Sequence, residues 1–341
     1  MQSFFRNPFT VFPFLLLVCA AVAVASLFVG RYHVAWADFY GLLASVFDPS
    51  ADIPPQTQTV VVNIRLPRIL AAFLVGGTLS LTGAAYQGMF RNPMVSPSIL
   101  GVSAGAGFGA ALAILLALGA FWVQTFAFVF GITAVVTVYL IGLATGEKYN
   151  KSLTLILSGM VVSTVFTALV SMLKYVADPY DALPSIVYWL MGGLSQIEMA
   201  DLGYVSIIAM VGLTVLTLSG WKLDILSFGD EEAKTMGIHV DRLRILVIGT
   251  ATLMTAAAVS ISGIIGWVGL LVPHIVRMVV GPSNRMLLPA SFLTGGAFLM
   301  VVDDFSRSIT SLEIPLGITT SLIGAPFFIF MMMKTSKKLN Q

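Results

Sequence analysis

Charge is what this sequence has least of. Asp, Glu, Lys and Arg make up 10% of 341 residues while hydrophobic residues make up 57%, and the mean hydropathy is +0.95. A water-soluble chain of this length needs far more charge to cover its surface, so a soluble globular protein is excluded. Cysteine is nearly absent: Cys19 stands alone, which rules out an internal disulfide and a thiolate metal cluster. A formal net charge of +2 is too small to suggest a nucleic-acid partner. His33, His239 and His274 lie far apart in unlike contexts and read as structural or loop residues. The phosphate-cradling signature G-x-x-x-x-G-K-[ST] is missing; its nearest approach, Gly146 followed by Lys151-Ser152, has Asn150 where the second glycine belongs. With no H-E-x-x-H or comparable catalytic set, the chain reads as a non-enzyme that binds no cofactor of its own.

Acids in mid-membrane are missing too. Asp303, Asp304 and Glu313 fall near the ends of apolar segments and none sits near the middle of one. That argues against an ion-coupled secondary carrier, whose ion site needs such a carboxylate.

What is present is a series of apolar segments, roughly 11–30, 66–88, 97–119, 121–144, 152–173, 186–218, 244–265, 268–281, 288–305 and 314–333. Crossing about 30 Å of hydrocarbon takes about 20 residues, and backbone groups in lipid must pair internally. The expectation is therefore an all-α polytopic membrane protein with about ten transmembrane helices in a single domain, 1–341. The eighth segment is short and glycine-flanked, as a broken helix or a dip would be. The first, after Arg6, is longer than a signal-peptide core and lacks a small-x-small cleavage site, so it reads as a retained span. Alternation from a cytoplasmic N-terminus puts thirteen of the eighteen Lys and Arg on the inner side and five on the outer, which places both termini in the cytoplasm.

Two outer excursions follow, at 31–64 (with Asp48, Asp52 and Pro54-Pro55) and at 174–185. The chief inner one, 222–244, is the most charged stretch and contains the loop 227–244. There Gly229 and Asp230 start a short helix, and Asp230, Glu231 and Glu232 favour the dipole of its first turn. Ala233 and Met236 form a small apolar face and Gly237 ends it. Such a helix suits docking of an energy-supplying partner. The dense small-residue sets 76–85 and 98–109 suit close helix packing.

Several motifs carry a resemblance. Arg65-Leu-Pro-Arg68, Gly83-Ala-Ala-Tyr-Gln-Gly88 with Arg91-Asn-Pro93 and Pro97, and Leu100-Gly-Val-Ser-Ala-Gly105 closely resemble the permease subunits of type II ABC importers. So do Trp189-Leu-Met-Gly-Gly-Leu-Ser195, Gly229 to Gly237, Gly266-Trp-Val-Gly-Leu-Leu-Val-Pro-His-Ile-Val-Arg277, and Pro315-Leu-Gly317 with Gly324-Ala-Pro-Phe327. That family takes up iron-siderophore, haem and cobalamin. The resemblance implies a homodimer of ten-helix permeases in the cell inner membrane, with the path along the two-fold axis. Two ATPase subunits, which carry the ATP and Mg, would dock at Gly229, Asp230, Glu231, Ala233, Met236 and Gly237. A substrate-binding protein would dock on the outer face.

Arginines resembling Arg65 and Arg307 pair with acidic residues of the binding protein in the family. Arg68 is a third candidate, for which pairing within the subunit weighs equally. The path is expected along Ser158, Gly159, Ser163, Thr164 and Thr167, with Pro315 and Gly317 bending the last helix. The expected cargo is an iron chelate, siderophore or haem; the alternative is cobalamin or an oxyanion. Met160, Met172 and Tyr175 would suit a haem-facing wall, but Met is also an ordinary gap-filler.

Overall fold

Every element in the computed structural model is helical, and residues 7–45, 54–145, 151–310 and 312–339 are described. Arg6, Asp48, Asp52, Gly146, Lys148 and Asn150, on which parts of the sequence reading rest, lie outside them. In chain order the helices are α1 (Pro8–Phe28), α2 (Trp36–Ser45), α3 (Pro55–Gln58), α4 (Leu66–Phe90), α5 (Val102–Leu115), α6 (Ala120–Ala144) and α7 (Lys151–Val176). There follow α8 (Ala182–Met191), α9 (Leu202–Leu218), α10 (Gly220–Leu226), α11 (Asp230–Thr235), α12 (Val240–Ser262), α13 (Val268–Val280), α14 (Asn284–Ser308) and α15 (Leu316–Leu339). Seven helical stretches among the described residues are long and apolar enough to cross a membrane, and four shorter apolar helices join them.

α4 is the centre of the bundle and is almost wholly buried. It is packed by glycine rather than by bulk, because lipid offers no hydrophobic force to press helices together and close van der Waals approach must substitute. Gly76 and Gly77 lie against Gly295 and Phe292 of α14, and a Cβ at either would strike backbone there. Phe73 and Phe292 meet edge-to-face with centroids 5.5 Å apart. Further along, Gly83 lies against the Gly269 backbone of α13. α5 and α6 repeat the device, with Gly105 and Gly109 against the Phe130 and Phe126 carbonyls.

Three segments differ from the sequence reading. The sixth, 186–218, is two helices: Gly192 takes φ 72° and ends α8, and a reciprocal Glu198/Asp201 capping box starts the next turn. Leu194 and Ile197 are buried within the gap, while Gln196, Glu198 and Asp201 are its polar residues. The described residues of the excursion 31–64 are largely helical. α3 runs through a π-helical stretch, Thr59–Arg65, into α4, making one 36-residue helix from Pro55 to Phe90. The Pro315-Leu-Gly317 run is the start of α15 rather than a bend within it; the internal proline is Pro326. The short eighth segment is α13, 13 residues and so about 20 Å, preceded by a non-helical turn at 263–267.

Candidate functional site

The long helices α4 and α14 each run between two polar clusters at opposite ends of the bundle, and α12 starts from one of them. At one end sits the acidic short helix. Asp230 Oδ2 accepts from Arg244 Nη2 of α12 at 2.7 Å, and its Oδ1 lies 3.6 Å from Arg91 Nη2 at the end of α4. Arg244 also donates to Ser152 of α7 at 3.3 Å. On α10, Asp224 accepts from the Asn284 backbone (2.6 Å) and side chain (2.9 Å) and from Ser283 (2.9 Å), capping α14. α10 and α11 are therefore tied to α12 and α14 by charge-assisted hydrogen bonds and to α4 by a longer ion pair.

α11 itself forms where the sequence places it. Gly229 (φ 137°) precedes it, and Gly237 (φ 81°) closes it with Ile238 N–H donating to the Ala233 carbonyl at 2.9 Å. Glu231 accepts from Lys234 Nζ at 2.7 Å, and that bond raises the lysine pKa above its ordinary value. Ala233 requires a correction. It is 0% exposed, packed inside its own chain, and presents nothing to a partner. The exposed apolar pair is Met236 with Phe228, 60% and 72% exposed. Phe228 was missed; a phenylalanine beside a run of acids was the signal.

At the other end lie the three candidate docking arginines, all buried within the chain. Arg65, 3% exposed, donates to the carbonyls of Leu27 and Tyr32. Arg68 holds Asp303 with Nε and Nη2 (2.8–3.0 Å) and both oxygens of Glu313 with Nη1 (2.9 Å). Arg307 donates to Asp304 and, at 2.6 Å, to the Ser26 carbonyl. Three buried arginines face three carboxylates, and each guanidinium already has partners within the chain. Arg68 and Arg307 pair with carboxylates and Arg65 with carbonyls only, and this burial and internal pairing favour the intrasubunit alternative given for Arg68.

The path candidates divide. Ser158 and Gly159 are buried, and a Cβ on Gly159 would strike the Ile99 backbone, so this part of α7 is a packing face. Ser163 is half-buried beside Gly101. Thr164 and Thr167 lie on an open face with Met160 and Ser171, at helical spacing. Their hydroxyls bond back to the Met160 and Ser163 carbonyls (2.9 and 2.8 Å), so the face they show is methyl as much as hydroxyl. No charged residue occurs between Lys151 and Lys174. Pro315 is half-buried, and Gly317 packs against the carbonyls of Met191 and Ile264. Among the described residues no three His, Cys, Asp or Glu side chains are grouped to hold a metal ion.

Comparison with known proteins gives a consistent answer. Residues 15–334 match the FecCD transport family. The chain is 40% identical over 316 residues to the molybdate import system permease protein MolB of Haemophilus influenzae, covering 92% of each. It is 45% identical over 281 residues to the cobalamin import system permease protein BtuC of Halobacterium salinarum, covering 82% of this chain and 75% of that one. A solved structure described as a metal-chelate type ABC transporter in an inward-facing conformation superposes with a TM-score of 0.85. It is 38% identical and covers 96% of this chain and 100% of that one.

Proposed function

Because this chain belongs to the FecCD transport family and is the membrane permease subunit of an ABC-type importer, we propose that two copies form one path, moving a molybdate-type oxyanion or cobalamin inward. The observation that carries the path is the open, uncharged face of α7. Met160, Thr164, Thr167 and Ser171 offer no ion to hold a charged or bulky solute in transit, so capture and selectivity fall to the separate binding protein. The cargo rests on the relatives named for molybdate and cobalamin, which favour that branch over the iron chelate suggested by the sequence. The metal-chelate likeness keeps an iron chelate as the second reading.

In this reading the whole chain is one transmembrane domain with both termini in the cytoplasm, in keeping with the bias of Lys and Arg. The loop 227–244 seats in the ATPase. Gly229 and Gly237 shape the helix, Glu231 lies on its rim, and Asp230 and Ala233 anchor it from within. Phe228 and Met236 make the contact. The arginine end then faces outward, toward the binding protein.

The test is uptake by the complete complex, with its own ATPase and binding protein, in liposomes offered molybdate, cobalamin, an iron-siderophore and haem. ATP-dependent accumulation of molybdate or cobalamin is expected. Accumulation of an iron chelate alone overturns the cargo, and accumulation that persists without ATP overturns the energy source.

A further inference from the structure

Three helix ends far apart in sequence meet in one backbone seam. Gly193 N–H donates to the Ser262 carbonyl at 2.8 Å, and Leu316 N–H donates to the Gly192 carbonyl at 2.9 Å. Close approach without side chains seals it: a Cβ on Gly263 would overlap the Trp189 carbonyl, and one on Gly317 that of Met191. The end of α8, the end of α12 and the start of α15 therefore share hydrogen bonds. Pulling one away alone strands polar backbone in apolar surroundings. Elsewhere α15 is lightly held, with Leu322, Ile329 and Phe330 exposed. Beside α8 lies a cavity of about 460 Å³ lined by Tyr188, Trp189, Gln124 and Ser260, which leaves α8 room to shift.

One guanidinium ties this seam to the rigid α4–α14 pair. Arg68 grips Asp303 on one side and Glu313 on the other. The two carboxylates are not equivalent. Asp303 belongs to α14 and its side chain is 2% exposed; Glu313 belongs to the link between α14 and α15, three residues before Leu316, and is 35% exposed.

We propose that the Arg68–Glu313 pair is the latch of the outer mouth. Glu313 is a positioning residue that holds the start of α15, and with it α8 and the end of α12, in the closed arrangement. Its departure from Arg68 accompanies opening. The asymmetry in burial assigns which half releases. A departing Asp303 would be left as a carboxylate without water, whereas Glu313 passes into solvent and Arg68 stays neutralised by Asp303. This rests on the proposed orientation and path.

The experiment uses the full reconstituted complex in a Cys19→Ser, Met191→Cys background, where Met191 is the last residue of α8. A membrane-impermeant maleimide is added outside. Glu313→Gln keeps the shape and removes the charge. It should speed labelling at position 191 about five- to tenfold, the shift expected from losing a half-exposed ion pair. It should also raise ATP hydrolysis in the absence of binding protein, with thermal unfolding unchanged; Glu313→Asp should restore part of the closed behaviour. Labelling and basal hydrolysis that stay at the parent rate would make the pair a static brace and overturn the proposal. So would a collapse in folding yield of Glu313→Gln, because a brace essential to the fold is not a latch. The Met191→Cys parent is assayed for uptake in parallel. If it transports but labels only from inside, the orientation fails; if it transports and labels from outside while Glu313→Gln changes nothing, the latch fails alone.

Discussion

Placing one methyl group at either of two glycines tests how this bundle is held together. Gly83 of α4 lies against α13, and a Cβ built on it would overlap the Gly269 carbonyl oxygen and stand 2.8 Å from the Gly269 Cα. Ordinary contact begins near 3.4 Å, so the two backbones must part by more than about 1 Å, and a gap of that size forfeits a quarter to a half of each atom's attraction along the seam. Overpacking of this kind costs about 1–3 kcal/mol, against roughly 1 kcal/mol gained from the better helix propensity of alanine. Gly249 of α12 is the control: it is exposed, and a Cβ there meets nothing within 4 Å. The propensity gain is common to both variants, so Gly83→Ala should be less stable than Gly249→Ala by about 1–3 kcal/mol. Denaturant unfolding of the purified permease in one detergent, followed by tryptophan fluorescence, reads that difference directly. Equal stability of the two variants would refute the backbone-contact account of the α4–α13 seam.

Truncating Phe228 and Met236 to Ala should weaken ATPase binding by roughly ten- to a hundredfold, the value of one well-buried aromatic and its neighbour at a contact, while leaving the fold intact. Titration of detergent-purified permease with the ATPase checks it, and wild-type affinity would refute the placement. Ala233→Arg should instead fail at folding, seen as lost yield of monodisperse protein, because that position has no exposure. Cysteine scanning of α7 should label positions 160, 164, 167 and 171 but not 158 or 159, and native Cys19, buried against the Leu293 carbonyl, should stay silent. Asp303→Asn leaves Arg68 and Arg307 short of a buried counter-charge and should cost about 3 kcal/mol or more in the same unfolding assay; a change under 1 kcal/mol would count against the buried network.

Much of the fold was legible because hydropathy and membrane thickness leave few choices. The apolar segments found in the sequence are those that the helices occupy, and the acidic turn at Asp230 marks a real helix start. What stayed hidden depends on contacts remote in sequence. Arg68 meets partners 235 and 245 positions away, and nothing local distinguishes a paired arginine from one offered to another protein. Ala233 and Met236 are one helical turn apart, and only the packing of α10 and α12 against α11 decides that the first faces in. Ser158 and Gly159 share a stripe of small residues with Thr164 and Thr167, but the turn at Pro97–Leu100 covers one half of it and not the other. The break after Met191 was readable in principle from Gly192-Gly193 and the polar Gln196, Glu198 and Asp201, but Leu194, Ile197 and Met199 between them kept the segment looking continuous.

The balanced cluster of three arginines and three acids also bears on how the polypeptide is made. Arg65 and Arg68 are synthesised early, and every acid in the cluster belongs to the last stretch of the chain, at 303, 304 and 313. Synthesis proceeds from the N-terminus, so α4 must wait in the bilayer with its guanidiniums unmatched until α14 and the approach to α15 emerge from the ribosome. A chain truncated before α14 would keep unneutralised arginines at the position where the finished protein buries them. The ion-pair network is thus complete only once the chain has been made as far as Glu313, so the two ends of the sequence are tied by charge before the last helix is added.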